Sequence, residues 1–349
     1  MYLKKSLAFR VDFNNEIGLG HIQRCLNLAE ILRKNGWKVL FICKSTSEQK
    51  KINFKRFKVF FIQNSLSEKN DGIITKNILK KNFTSILVID RDHLINKKYK
   101  KEYFIFLKEV RDIKIVFAWE PFIWPNFNYN YIYHPYIGAK KIIKNKRKNT
   151  ITGEKYLIVN KKFFFSRKIK KNIKNILINL GGANNLHILK KILINFFSYK
   201  DLFKINIVIF SKTISNNFLV IKKIIKIKKL NVNFIINPQK IYNLYKKADI
   251  GIFGSGYSKY EASASGLPIL IIQRKKSDFL FNRFFIKKRS SFLIKNLNNK
   301  SILNNVTKNF TLRKKMSKNG LKILSLNNKN NVVFLFNKIV NCNYGKISN

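Results

Sequence analysis

Apolar residues along the chain fall into two alternating patterns. Short, mostly apolar runs of four or five residues recur in the first half at Leu7–Val11, Val39–Cys43, Val59–Ile62, Ile86–Ile89 and Ile113–Phe117. Short runs that are apolar on both faces predict strands of a parallel sheet covered by helices. Between the first two runs, Ile22, Cys25, Leu26, Ala29 and Leu32 follow the i, i+3, i+4, i+7 spacing of an amphipathic helix, and Asn35-Gly36 stands where such a helix should stop. Together they make a βαβ unit. The segment Trp119–Lys148 breaks this rhythm with three of the five prolines and ends in the basic run Lys140–Lys148, which predicts the approach to a domain boundary. Alternation then restarts with strands at Ile176–Leu180, Ile205–Phe210, Val232–Ile236, Ile250–Phe253 and Ile269–Ile272, and with helices from about Leu186, at Ile241–Lys247 and after Gly256. The pattern is α/β: two doubly wound, Rossmann-like domains, expected over residues 1–150 and 151–349.

Composition supports a folded chain. Hydrophobic residues are 46% of 349, with 31 Phe, enough for two cores and incompatible with a disordered class. Three cysteines and four histidines are scattered without metal-ligand spacing, so neither a zinc site nor a disulfide framework is expected. The apolar N-terminal stretch is broken by Arg10 and Asp12 before it reaches signal-peptide length, and no run approaches the ~18 residues of a spanning helix. The expectation is a cytoplasmic protein without a transmembrane segment. The formal charge of +54 comes from 71 Lys and Arg against 17 Asp and Glu. These basic residues are spread along the chain, as in Lys168-Ile169-Lys170-Lys171, among many Asn, Ile and Phe with A/T-rich codons. No nucleic-acid-binding signature accompanies them. A general attraction to polyanions follows, but no specific nucleic-acid partner.

Three glycine turns carry the candidate chemistry. Gly18-Leu19-Gly20-His21 joins the first strand to the first helix. A third glycine is missing at Gln23, and no acid follows the second strand, which disfavours a dinucleotide. His21 sits at the mouth of the helix, where the positive end of the dipole disfavours an imidazolium and suits a proton acceptor. Gly181-Gly182-Ala183-Asn184 is the equivalent turn of the second half. Gly254-Ser255-Gly256-Tyr257-Ser258 opens a later helix whose first N–H groups suit a diphosphate, and Glu261 within that helix could accept hydrogen bonds from both hydroxyls of a ribose.

Phe9-Arg10-Val11-Asp12 followed by Ile17-Gly18-Leu19-Gly20-His21-Ile22-Gln23-Arg24-Cys25-Leu26-Asn27-Leu28-Ala29 closely resembles the opening of the UDP-2,4-diacetamido-2,4,6-trideoxy-β-L-altropyranose hydrolases of pseudaminic acid biosynthesis, relatives of spore-coat polysaccharide proteins. The similarity recurs at Val88-Ile89-Asp90, Gly153-Glu154-Lys155-Tyr156-Leu157, Leu180-Gly181-Gly182 and from Ala248-Asp249 to Pro268. The last stretch is shared with the wider GT-B glycosyltransferases of the MurG type. Asn184, Tyr257, Ser277-Asp278 and Trp119-Glu120 depart from the family pattern.

The resemblance implies GT-B architecture, with the two domains facing across a cleft and UDP on the C-terminal one. It implies hydrolysis of a UDP-linked diacetamido-trideoxy sugar with inversion at C1. His21 would be the general base for water, and Asp12 would orient it. Arg10, Gly18, Gly20, Arg24 and Asp90 would line the sugar side. Gly181, Gly182, Ala183, Asn184, Gly256, Tyr257, Ser258 and Glu261 would hold UDP. No metal or other cofactor is expected, the partner is the UDP-sugar, and the chain is expected to act as a monomer. A GT-B glycosyltransferase with an acceptor hydroxyl in place of water is the alternative reading, and a non-catalytic polyanion-binding protein the second.

Overall fold

The computed structural model describes residues 5–14, 17, 19–47, 52–54, 56–91, 100–113, 115–119, 130–142, 149–181, 185–197, 203–209, 216–273, 278–297, 300–324 and 328–342. The chain divides into two compact units, Met1–Ile158 with Asn327–Asn349, and Val159–Leu326.

Unit 1 runs β1 (Ser6–Val11), α1 (Gly20–Lys34), β2 (Lys38–Lys44), β3 (Lys58–Ile62), α2 (Glu68–Lys81), β4 (Ile86–Asp90), α3 (Lys100–Glu109), β5 (Ile115–Trp119), β6 (Tyr131–His134), α4 (Ala139–Ile142) and β7 (Thr150–Thr152). The strands form one seven-stranded parallel sheet in the order β3-β2-β1-β4-β5-β6-β7. Strand residues alternate between faces. Leu7, Phe9 and Val11 therefore pack under Ile22, Cys25, Leu28 and Leu32 of α1, while Ala8 joins Leu40, Ile42, Leu79 and Phe106 on the opposite, α2–α3 face. The expected helix ends as its sequence indicates, with Asn35 as C-cap and Gly36 at φ +80°.

Unit 2 runs β8 (Asn175–Asn179), α5 (Leu186–Phe196), β9 (Lys204–Ile209), α6 (Asn216–Ile227), β10 (Val232–Ile236), α7 (Tyr242–Lys247), β11 (Ile250–Phe253), α8 (Ser258–Ala264), β12 (Ile269–Ile272), α9 (Asp278–Lys287), β13 (Ser291–Ile294), α10 (Ser301–Lys308) and α11 (Phe310–Leu321). Its six parallel strands are ordered β10-β9-β8-β11-β12-β13. Both units are thus doubly wound, as the alternation indicates. Asp249 fastens the start of β8 by accepting the N–H groups of Lys174 and Asn175, each at 2.9 Å.

The units differ from the expected 1–150 and 151–349 in two ways. The first crossing falls after Ile158, because Ile151 and Ile158 belong to the core of unit 1. The chain also returns: α12 (Asn328–Cys342) buries Val332, Phe336, Ile339 and Val340 in that same core, with Phe336 edge-on to Trp37. Each such side chain contributes roughly 1.5–3 kcal/mol on burial. Three strands escape the sequence pattern. β6 lies inside the proline-rich segment, β7 follows it, and β13 is a four-residue strand beginning with Ser291.

Candidate functional site

In unit 1 the strand order reverses between β1 and β4. In open α/β sheets, ligands bind outside the carboxyl ends of the strands at such a switch point. The two strands are in register, with Val11 opposite Asp90, and α1 starts at Gly20. His21 and Asp90 meet there, with Nδ1 2.6 Å from Oδ1. An ionised carboxylate can only accept, so Nδ1 carries the proton that bridges the pair. One turn along α1, Arg24 donates from Nε to Asp90 Oδ2 at 2.6 Å and from Nη2 to Oδ1, and its Nη1 bonds the Tyr136 hydroxyl. Arg24 Nη2 is also 3.1 Å from His21 Nδ1. Both nitrogens are donors, so the carboxylate they share organises the pair. The His21 side chain keeps 15% exposure against 1% for Asp90.

Burial alone would raise the Asp90 carboxyl, but the charges and hydrogen bonds of Arg24 and His21 together outweigh it and hold the group well below the usual carboxylate range. Burial and then Asp90 push the Cys25 thiol up instead, so Cys25 stays a neutral donor to Asp90 at 3.3 Å. The result is an imidazole held by a fixed carboxylate, itself clamped by a guanidinium.

The carboxylate on His21 is Asp90, not Asp12 as the sequence suggests, and the strand pleat explains the correction. Val88 packs on the α1 face, so Asp90, two residues on, shares it. Ala8 packs on the α2–α3 face, so Arg10 and Asp12 lie on that side. There Arg10, fully buried, donates from Nε and Nη2 to Asp71 at 2.9 and 2.6 Å and from Nη1 to Asp12 at 2.5 Å. Asp12 also accepts the Lys44 N–H at 2.9 Å. Arg91 grips Glu68 with both Nη atoms, at 2.8 and 2.7 Å, and its Nε lies 3.4 Å from Asp12. Burial opposes ionisation of Asp12, yet Arg10 and then Arg91 hold its carboxyl far below the ordinary range. Arg10 and Arg24, expected on the sugar side, are instead buried and committed to carboxylates of their own unit. Gly18 lies outside the described residues. At Gly20 an added Cβ would meet nothing within 4 Å, so packing does not require glycine there.

Unit 2 has its own switch point, between β8 and β11. Gly181 leaves β8 at φ +93°, its N–H donating to Asn179 Oδ1 at 3.1 Å. Gly182, Ala183 and Asn184 lie outside the described residues. At the end of β11, a Cβ on Gly254 would stand 2.7 Å from the Leu180 carbonyl oxygen, so only glycine permits the close approach of the two turns. Tyr257 and Ser258 lie at the start of α8, and a Cβ on Gly256 would meet nothing within 4 Å. Glu261 is 8% exposed and accepts the Tyr245 hydroxyl on Oε2 at 3.1 Å. Burial raises its carboxyl to about 7 against the opposing Tyr245 bond.

Sequence reasoning passed over several of these partners. Asp71, Arg91, Tyr136, Tyr245 and Lys259 are all absent from the expected site. Lys259 is buried, with Nζ donating to the Ser255 carbonyl at 2.9 Å and to Asn282 Oδ1 at 2.8 Å. The one available signal was Arg91 directly after Asp90, two adjacent charges at the end of an apolar strand that each find partners on another element. Among the described residues no group of three or more His, Cys, Asp and Glu could hold a metal ion, and no helix is long and apolar enough to cross a membrane.

No family model matches the chain. It is 29% identical over 289 residues to the uncharacterized protein MJ1062 of Methanocaldococcus jannaschii, covering 77% of this chain and 56% of that one. It is 29% identical over 125 residues to the spore coat polysaccharide biosynthesis protein SpsG of Bacillus subtilis, covering 35% of this chain and 37% of that one. The chain therefore spans about half the length, or less, of these curated relatives. Among solved structures it resembles Acinetobacter baumannii MurG, with a TM-score of 0.61 and 13% identity over 95% of this chain and 99% of the other. It also resembles Anabaena Alr3699/HepE in complex with UDP and glucose, with a TM-score of 0.64 and 10% identity over 96% and 99%. The fold is the GT-B architecture of two Rossmann-like domains.

Proposed function

We propose that the protein is a GT-B enzyme of polysaccharide biosynthesis that transfers a sugar from UDP to an acceptor hydroxyl, with His21 as general base. The observation that carries this reading is the His21–Asp90 pair at the switch point of unit 1, 2.6 Å apart and clamped by Arg24. The likeness to a solved structure holding UDP and glucose and to a spore coat polysaccharide biosynthesis protein supports the substrate class.

In this scheme Nε2 of His21 takes the proton of the attacking hydroxyl while UDP departs as an anion. Asp90 stabilises the imidazolium that forms and is not itself protonated. A single attack from the face opposite the leaving group inverts C1. Unit 2 holds the nucleotide, with the Gly256–Ser258 turn offering N–H groups to the diphosphate and Glu261 accepting from the ribose. A metal is then not required to neutralise the leaving group.

Hydrolysis, with water as acceptor, is a second reading favoured by the resemblance of Ile17–Ala29 to the diacetamido-sugar hydrolases. Release of UDP from a UDP-sugar, followed in EDTA with and without glycan or lipid acceptors, separates the two. Acceptor-dependent release supports transfer, and rapid release without any acceptor replaces it with hydrolysis. Loss of turnover in EDTA, restored by Mg²⁺ or Mn²⁺, would overturn the metal-free scheme.

Nucleotide affinity should depend on pH through Glu261. Its carboxyl, raised to about 7, is neutral on the acid side and an acceptor for two hydroxyls on the basic side. The Kd for UDP should therefore fall as pH rises from 6 to 8, by at most roughly tenfold per unit below the midpoint. Calorimetric titration of wild type and Glu261→Gln at pH 6, 7 and 8 checks this, since any slope left in the variant belongs to the phosphates of UDP. Equal slopes would remove Glu261 from the nucleotide site.

A further inference from the structure

Four groups of unit 2 form one directed hydrogen-bond chain. The Gly181 N–H donates to Asn179 Oδ1 at 3.1 Å, so the other amide atom of Asn179 must be its nitrogen. That Nδ2 donates to the Tyr245 hydroxyl oxygen at 3.2 Å. With its oxygen accepting, the tyrosine proton points the other way, to Glu261 Oε2 at 3.1 Å. Every donor and acceptor along the line is used in one sense. Glu261 Oε1 accepts no hydrogen bond among the described residues and is not sealed from solvent.

The ring of Tyr245 is packed between other aromatic rings. It is fully buried, edge-on to Phe163 at 5.0 Å and tilted against Phe253 at 5.3 Å. Burial and then the neighbouring Glu261 push its hydroxyl well above the ordinary tyrosine range, so it remains a donor. Asn179 ends β8 and Glu261 lies in α8 after β11. The chain of bonds therefore ties the turn after β8 to the helix after β11, on the two sides of the switch point.

We propose that Tyr245 is the positioning residue that sets ribose recognition: it occupies Oε2 of Glu261 so that Oε1 is presented to the ribose diol, and through Asn179 it holds the Gly181 turn in step with that carboxylate. This rests on unit 2 being the nucleotide-binding unit. It identifies a selectivity device in a residue that touches no ligand, and it explains why a tyrosine rather than a phenylalanine fills an otherwise aromatic core position.

The test compares Kd values of the full chain for UDP and for 2′,3′-dideoxy-UDP by calorimetry, in wild type, Tyr245→Phe and Asn179→Ala. Wild type should prefer UDP by tenfold or more. Tyr245→Phe keeps the packing and should cut that preference at least fivefold by weakening UDP while leaving the dideoxy analogue nearly unchanged. Asn179→Ala, which also releases the Gly181 turn, should weaken both nucleotides. A Tyr245→Phe protein that melts lower but keeps the wild-type preference shows a purely structural hydroxyl and overturns the proposal. A wild type that binds neither nucleotide instead overturns the nucleotide reading of unit 2.

Discussion

His21→Ala should lower the rate of UDP release by about 10²–10⁴-fold while leaving UDP affinity within roughly twofold of wild type, the range expected for loss of one positioned general base. The split between rate and affinity follows from placement. The histidine belongs to unit 1, and the groups assigned to the nucleotide all belong to unit 2. Stability should change little, because the side chain is partly exposed and its removal leaves Asp90 paired with Arg24. Asp90→Asn should also lose rate, since an amide can present a donor to Nδ1 and so favour the wrong tautomer. That substitution additionally strands the buried Arg24, so a lower melting temperature accompanies it. Steady-state turnover beside UDP binding decides the matter. A His21→Ala enzyme with wild-type turnover would remove the imidazole from the chemistry, whether the acceptor is a sugar or water.

Asp71→Ala is the substitution expected to damage the fold most. Asp71 is fully buried and takes two hydrogen bonds from Arg10, whose guanidinium is itself sealed from solvent. Deleting the carboxylate leaves Arg10 with Asp12 alone, which costs about 3–5 kcal/mol. For a unit of this size that corresponds to a melting temperature lower by roughly 6–20 °C.

The same cluster predicts acid sensitivity. Burial opposes ionisation of Asp71, but its bonds to Arg10 prevail and its carboxyl is lowered from the ordinary 3.8. A depressed value in the folded state contributes stability that is complete above the unfolded value and is lost as pH falls through the folded one. The gap between wild type and Asp71→Ala should therefore be widest near pH 7 and shrink below about pH 4. Thermal unfolding at pH 7 and pH 3 reads both quantities. Equal melting temperatures at pH 7 would show that the cluster adds no net stability.

The charge composition takes on meaning beside these sites. Among the described residues, Asp12, Asp71, Asp90, Asp249 and Glu261 are buried carboxylates, each with a specified donor, whereas Lys259 is the buried lysine. The surplus of positive charge therefore resides mainly on solvated lysines. There it sets solubility and polyanion attraction more than architecture.

Much of this molecule is legible without coordinates. The alternation of apolar runs and 3.6-periodic segments determines most strands of both units and the helices α1, α5, α7 and α8, because each depends on residues at most a few positions apart. Gly20-His21 at the mouth of α1, Gly181 after β8 and Glu261 inside α8 are local features too, and the structure places them on or next to the expected elements.

What the sequence could not decide is which residues from distant elements share a face. Asp90 lies 69 positions from His21, and it meets the ring because β4 is laid beside β1 with Val88 and Asp90 on the α1 side. Asp12, only nine residues before His21, is directed to the other face by the pleat. The return of α12 to unit 1, the burial of Glu261 and the link from Asn179 through Tyr245 likewise depend on strand order and packing. Periodicity specifies the element, but only the sheet's order and register decide which side chains meet.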